Sequence, residues 1–292
     1  MKAFVTGVAG QLGHDIMKEL ARRHHEAIGS DLSPGSSCVP LDITDKGAVC
    51  AAISKVQPDV IFHCAAWTDV DGAEDPANKA DVRKINADGT RNLAEAAKAT
   101  SAKIVYVSTD YVFDGQGETP WRPDDQCFEP LNHYGQTKLE GEFAVTELTD
   151  RFFIVRTSWV FGSNGKNFVR TMLNVAKSHT TVRVVNDQIG SPTYTLDLAR
   201  LLVDMAETDR YGFYHAANEG DYISWCDFTK EIYRQAHIEA EVLPVTTEEY
   251  GLNKAVRPFN SRLDKTKLSE ARFAPLPDWQ DALARYLKGV EL

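Results

Sequence analysis

Tyr134 and Lys138 stand four residues apart in a segment, Leu131 to Leu148, that reads as helix. Residues at that spacing share a helix face, so a phenol and an ammonium lie side by side. A free phenol has a pKa near ~10 and exchanges protons poorly at neutral pH. A neighbouring ammonium favours the phenolate; a lowering of about 2–3 units corresponds to roughly 3–4 kcal/mol of differential interaction. The spacing alone fits any amphipathic helix equally well. Its chemical meaning comes from upstream, where Lys103 to Ser108 is a short apolar, β-branched run that reads as a buried strand. Thr109, Asp110 and Tyr111 follow where that strand ends.

The elements that must position this pair begin at the first residues. Ala3 to Thr6 is an apolar run that breaks at Gly7, and Gly7, Gly10 and Gly13 lead into Gln11 to Arg23, with Leu12, Ile16 and Leu20 at helical spacing. Strand, glycine turn and helix together allow backbone N–H groups to approach a pyrophosphate at the helix N-terminus. Gly7, Gly10, Gln11, Leu12 and Gly13 are therefore the expected dinucleotide cradle. A second strand, His25 to Ser30, ends at Asp31, where a carboxylate can bind ribose hydroxyls and repel a 2′-phosphate. That favours NADH, while Ser30, Arg22 and Arg23 leave NADPH open. Asp42 and Ile43 precede a helix, Asp45 to Val56, and are placed for the adenine edge. The competing reading of Asp42 is a loop carboxylate capping Thr44 and Asp45.

Asp59 to Cys64 reads as another buried strand, and Ala65, Ala66, Trp67 and Thr68 then let the chain pass close under a cofactor. His63, inside that run, reads as a packed core histidine. Asp69, Asp71, Glu74 and Asp75 read as a solvated acidic face rather than a metal site. Lys79 to Lys98 reads as one long helix with Asn86 on its buried side, where a buried amide needs partners and could order the loop under the nicotinamide. Three β-α units in sequence imply a doubly wound parallel sheet of the α/β class, Rossmann-type.

The chain has 292 residues, 43% hydrophobic and 25% charged, an ordinary globular composition for two lobes or one large α/β unit. Its net charge of -10 argues against sequence-independent nucleic-acid binding. No apolar run approaches the ~20 residues that span a bilayer, and no signal-peptide pattern opens the chain, so a cytoplasmic location away from the membrane is expected. The five cysteines are scattered without metal-type spacing and read as reduced thiols.

Beyond Gly115, a Pro-, Gly- and Asp-rich loop runs to Pro130 and either covers a substrate or merely connects. Arg151 to Thr157 reads as a strand with Ser158 and Trp159 at its end, and Gly165 to Lys177 as a helix. A short strand, Thr181 to Val185, precedes Gln188 to Thr193, which are placed to contact a nucleotide. Residues 1–162, joined by about 195–217, are assigned to the dinucleotide-binding domain. Residues 163–194 and 218–292 are assigned mainly to a smaller, mixed α/β substrate lobe interleaved with it. Arg257 and Arg262 are candidates for a diphosphate, which guanidinium binds bidentately, or else form surface salt bridges.

Thr6 to Gly13, Asp59 to Ile61, Asn86, Ser108 to Gly115 and Tyr134 to Lys138 together resemble the extended short-chain dehydrogenase/reductase superfamily. Thr157 to Gly162, Asn186 to Tyr194 and Arg257 to Asp264 extend the similarity nearly end to end, toward its nucleotide-sugar branch and the dTDP-4-dehydrorhamnose reductase family. The resemblance implies that Tyr134 protonates the sugar oxygen and that Lys138 lowers the Tyr134 pKa and binds the nicotinamide ribose. It also implies that Thr109, with Ser108 as substitute, orders the carbonyl, that Asp110 faces the substrate, and that Trp159 meets the deoxysugar. Similar 4,6-dehydratases carry an Asp-Glu pair after the Thr; here Tyr111 follows Asp110, so half of that acid/base pair is missing. The activity implied is reduction of the C4 ketone of dTDP-4-dehydro-6-deoxy-L-mannose to dTDP-L-rhamnose with NADH or NADPH. Alternatives are another nucleotide-sugar 4-reductase or 4-epimerase, or a non-catalytic NADP-binding regulatory subunit. Some members of the family form homodimers through Mg2+ held by acidic side chains. Asp15 on the first helix is where one of these could sit, although the residues themselves support no metal site.

Overall fold

The computed structural model describes residues 1–32 and 38–289. Its centre is a seven-stranded sheet in which every pairing is parallel. The strands are β1 (Lys2–Thr6), β2 (Glu26–Asp31), β3 (Val39–Pro40), β4 (Val60–His63), β5 (Lys103–Thr109), β6 (Phe152–Thr157) and the strand Gly212–His215. They lie in the order Gly212–His215, β6, β5, β4, β1, β2, β3. The central strands β1, β4 and β5 are near-continuous apolar runs, as burial on both faces requires. The winding reverses at β1, with β2 and β3 on one side and β4, β5 and β6 on the other, which opens a crevice above the carboxyl ends.

Helices cover both faces. On one, α1 (Gln11–Arg22) packs Leu12, Ile16 and Leu20 beside the Thr195–Ala206 helix, over Val5, Phe62 and Val155. On the other, α2 (Lys46–Val56), α4 (Gly89–Thr100) and α5 (His133–Leu148) bring Ile53, Leu93 and Val145 onto Phe4, Ile61 and Ile104. Between α2 and α4 lies the short α3 (Lys79–Arg83). Asp45 caps α2 by accepting the Ala48 N–H at 3.0 Å, and Asn132 caps α5 by accepting the Gly135 N–H at 2.8 Å.

A second core joins α6 (Phe168–Ala176) to the helices Trp225–Gln235 and Trp279–Leu287 through Leu173, Phe228, Ile232, Trp279 and Leu283. Leu268, Phe273 and Leu276 return to the core of the large sheet, although the sequence groups them with the smaller lobe.

Two expectations are refined. The helix read as one from Lys79 to Lys98 does run without a gap, but a π-helical turn at Lys84–Asp88 divides it into α3 and α4. Such turns re-aim side chains at functional sites, and this one carries Asn86. Of the two readings of Gly115 to Pro130, the connecting one holds, since none of its residues lines the crevice. The loop is stitched down by Trp121, which stacks on Phe113 with centroids 4.7 Å apart, and by Arg156, which donates to the Pro123 carbonyl at 3.1 Å.

Candidate active site

A cleft of about 990 Å³ opens over the carboxyl ends of β1, β4, β5 and β6. At one end lies the glycine turn. Gly7 has φ +73°, and a Cβ there would lie 2.7 Å from the Ala65 nitrogen; one on Gly13 would lie 2.2 Å from the Gly7 carbonyl. The chain therefore closes tightly only with glycine. No side chain caps α1, so its terminal N–H groups remain for a ligand. Gly7, Gly10, Gln11, Leu12, Gly13, Asp31, Asp42, Ile43, Ala65, Ala66, Trp67 and Thr68 all line the cleft, and the donor set fits an NAD(P) pyrophosphate and adenosine.

The Asp31 carboxylate accepts the Ala9 N–H at 2.9 Å, which fixes it beside the glycine turn. Asp42 accepts the Thr44 N–H at 2.8 Å, and hydrogen bonds from Thr44 hold its pKa below the usual carboxylate range. Asp42 thus caps Thr44 and also lines the cleft. Asn86 does not line the cleft but orders the loop that does. Its Oδ1 accepts the Trp67 N–H at 2.8 Å, and its Nδ2 donates to the Trp67 carbonyl at 3.2 Å and the Thr137 hydroxyl at 3.1 Å. His63 is fully buried between the Thr6 and Thr90 hydroxyls, at 3.0 and 2.9 Å. Burial pushes its pKa down to about 3, a neutral core imidazole.

At the middle of the cleft stand Ser108, Thr109, Asp110, Tyr111, Tyr134 and Lys138. α5 approaches the end of β5 because Gly135 carries no side chain: a Cβ there would meet the Tyr111 carbonyl at 2.2 Å. Thr109 donates to Asp110 Oδ1 at 3.0 Å and accepts the Tyr111 N–H at 3.2 Å. Burial pushes the Asp110 carboxyl up to about 6, against hydrogen bonds with Ser261 and Thr109. The Ser108 hydroxyl is buried with no hydrogen-bond partner among the described residues.

The expected coupling of Tyr134 to Lys138 takes a different form. Lys138 is buried and donates from Nζ to the Val107 carbonyl at 2.8 Å, with the Tyr106 ring 4.1 Å below it. Burial brings its pKa down to about 7. The Tyr134 phenol is raised above its ordinary value, by burial first and then by Asp110 and Tyr111, while a hydrogen bond with Thr109 acts the other way. Desolvation sets the balance, and the one opposing effect comes from Thr109 rather than from the ammonium, so the phenol holds its proton at neutral pH.

Trp159 lines the cleft with φ +49°, stacked on Trp225 with centroids 3.7 Å apart and planes 15° apart. Phe168 packs on Trp225 at 4.4 Å, and both line the cleft. Sequence reasoning missed this aromatic wall. The available signal was the Ser224–Asp227 capping box, which places Trp225 at the start of its helix. Also missed was the segment Ser163 to Asn167, which closes over the glycine turn: Asn164 donates to the Ala9 carbonyl at 2.7 Å, and Gly165 and Lys166 line the cleft.

Arg257 lines the cleft, whereas Gln188 and Arg262 do not. Gln188 is buried and donates to the Thr247 hydroxyl at 3.0 Å, and Arg262 donates to Asn260 Oδ1 at 3.0 Å. Asp15 is 3% exposed and accepts from the Thr195 hydroxyl at 2.5 Å, so it offers no surface ligand for a bridging Mg2+. Among the described residues, no group of three or more His, Cys, Asp or Glu is placed to hold a metal ion. None of their helices is long and apolar enough to cross a membrane.

Fold and site together define a doubly wound dinucleotide-binding protein that brings Thr109, at the end of β5, to Tyr134 and Lys138 of α5. The chain belongs to the RmlD substrate binding domain family, whose model matches residues 1–292. It is 40% identical over 295 residues to a dTDP-4-dehydrorhamnose reductase of Aggregatibacter actinomycetemcomitans, covering 97% of each chain. The crystal structure of a dTDP-4-dehydrorhamnose reductase from Clostridium acetobutylicum matches with TM-score 0.92 and 41% identity, over 99% of both chains. That of the Bacillus anthracis enzyme in complex with NADP matches with TM-score 0.92 and 39% identity, over 99% of this chain and 100% of that one.

Proposed function

We propose that this chain reduces the C4 ketone of dTDP-4-dehydro-6-deoxy-L-mannose, giving dTDP-L-rhamnose. The observation that carries the reading is that Thr109, Tyr134 and Lys138 share one cleft with the glycine turn. NADH or NADPH, when bound, supplies the hydride. The Tyr134 phenol, protonated at neutral pH, gives its proton to the C4 oxygen as negative charge develops there. Thr109 orients that oxygen by turning its single hydroxyl proton from Asp110 Oδ1 to the ketone. The Lys138 ammonium, held by Val107, offsets the charge left on the phenolate and binds the nicotinamide ribose. Asp110 and Trp159 contact the sugar, and Arg257 receives the diphosphate. Nothing in the geometry favours Gln188 or Arg262 as ligands.

Asp31, fixed by Ala9, faces the adenosine end and disfavours a 2′-phosphate, while the Bacillus anthracis relative was solved with NADP. The proposal therefore takes either cofactor, and the two rates measure what Asp31 decides. The family resemblance also carries a homodimer into the proposal, which sedimentation of the purified chain tests. The functional test is oxidation of NADH and NADPH with dTDP-4-dehydro-L-rhamnose, followed by product identification. Formation of dTDP-L-rhamnose supports the reading. Binding of both cofactors without consumption of either contradicts it and favours an epimerase or a regulatory subunit.

A further inference from the structure

The acidic loop after β4 and the segment preceding the Asn260–Ser261 strand meet at one carboxylate. Asp71 Oδ1 accepts the backbone N–H groups of Lys254 and Ala255, at 3.0 Å each. Its Oδ2 accepts from Arg257 Nη2 at 2.6 Å, and Arg257 Nη1 donates to the Tyr111 hydroxyl at 3.3 Å. Tyr111 sets its ring edge-to-face against Tyr134, with centroids 5.8 Å apart. Arg257 and Tyr111 line the cleft, and Asp71 lies behind them. The two side chains are 22% and 36% exposed, so the pair is less screened than an ordinary surface pair.

We propose that Asp71 is a positioning residue: it holds the Arg257 guanidinium at the cleft mouth, beside Tyr111, in the orientation that receives a substrate diphosphate. This rests on the nucleotide-sugar reading above. An unheld arginine has many rotamers and loses that freedom on binding an anion; fixing it beforehand removes the loss. The opposing effect is repulsion between the Asp71 carboxylate and the phosphates. Two backbone N–H groups already disperse the charge on Asp71, and it does not border the cleft. Positioning therefore outweighs repulsion.

Asp71→Asn keeps an oxygen for the Lys254 and Ala255 N–H groups and removes the charge that holds Arg257. Calorimetric titration with dTDP compares the wild type, Asp71→Asn, Arg257→Ala and the double variant, all as full-length chains. Asp71→Asn should bind dTDP about tenfold more weakly, and KM for the nucleotide sugar should rise similarly with kcat nearly unchanged. NADPH affinity should stay at the wild-type value, and the double variant should bind dTDP no more weakly than Arg257→Ala. Arg257→Lys keeps the charge but cannot span Asp71 and Tyr111, so it should weaken dTDP binding as Asp71→Asn does. Equal or tighter dTDP binding by Asp71→Asn, wild-type binding by Arg257→Lys, or a full further loss in the Arg257→Ala background overturns the positioning role. A wild type that binds NADPH but not dTDP overturns the nucleotide-sugar reading, and this proposal with it.

Discussion

Lys138 is a buried charge at the heart of the site. Its ammonium is buried on a single carbonyl and an aromatic face, and its pKa falls to about 7. In the cofactor-free protein it is charged below that value and neutral above it. If the charge supports proton transfer from Tyr134, kcat/KM falls as pH rises through about 7, because that ratio reports free-enzyme ionisations. A profile flat between about pH 6 and 9 would contradict this. The same group bears on stability. Its folded pKa lies below the unfolded value near ~10.4, so the unfolded chain binds more protons between the two. The penalty is full below about 7 and is relieved as pH rises, so Lys138→Met should raise the denaturation midpoint most at low pH. At this scale the residue types were legible but their electrostatic balance was not. Four-residue spacing put Tyr134 and Lys138 on one helix face. It could not show that Nζ turns to Val107, or that burial dominates the phenol.

The elements were legible where local chemistry decides them. The apolar run before Gly7, the Leu12, Ile16 and Leu20 stripe, and the parallel strands all formed near their expected bounds. The π-helical turn at Lys84–Asp88 was not legible, because partners distant in sequence accompany it: Asn86 reaches Trp67 and Thr137, and Thr90 reaches His63. Gln188 and Arg262 were misplaced for a similar reason. Their loops could be assigned, but not the direction of their side chains. The contact between α5 and β5 gives an element-scale prediction. In Gly135→Ala the new methyl meets backbone rather than a movable side chain, so α5 must shift and carry Tyr134 with it. A displacement of this kind should cost activity about tenfold or more while NADPH still binds. Wild-type kcat in Gly135→Ala, measured by steady-state assay, would show that the approach is not critical.

At the scale of the whole molecule, the crevice is closed by parts far apart in the chain. Asn164 reaches the glycine turn, Trp225 stacks on Trp159, and Arg257 meets Asp71. Strand-turn-helix patterns announce the sheet but carry no signal for such pairings, which is why Trp225 and Phe168 escaped notice. Between α5 and β6, Glu142 and Arg156 form an ion pair with each side chain 1% exposed, joined at 2.9 and 2.7 Å. The Phe113, Phe128 and Phe213 rings surround the guanidinium, which also ties down Pro123. Arg156→Met leaves Glu142 buried and unpaired and should destabilise by about 3–5 kcal/mol in denaturant unfolding. A loss under about 1 kcal/mol would mean that water or a neighbour satisfies Glu142.

The most direct test of the account is a comparison of wild type and Tyr134→Phe under saturating NADPH and dTDP-4-dehydro-L-rhamnose, with NADPH affinity measured in parallel. The account predicts that the variant binds NADPH as the wild type does and turns over at least about a hundredfold more slowly, since only the proton donor is removed. Turnover within a few-fold of wild type would take the proton away from Tyr134 and contradict the mechanism.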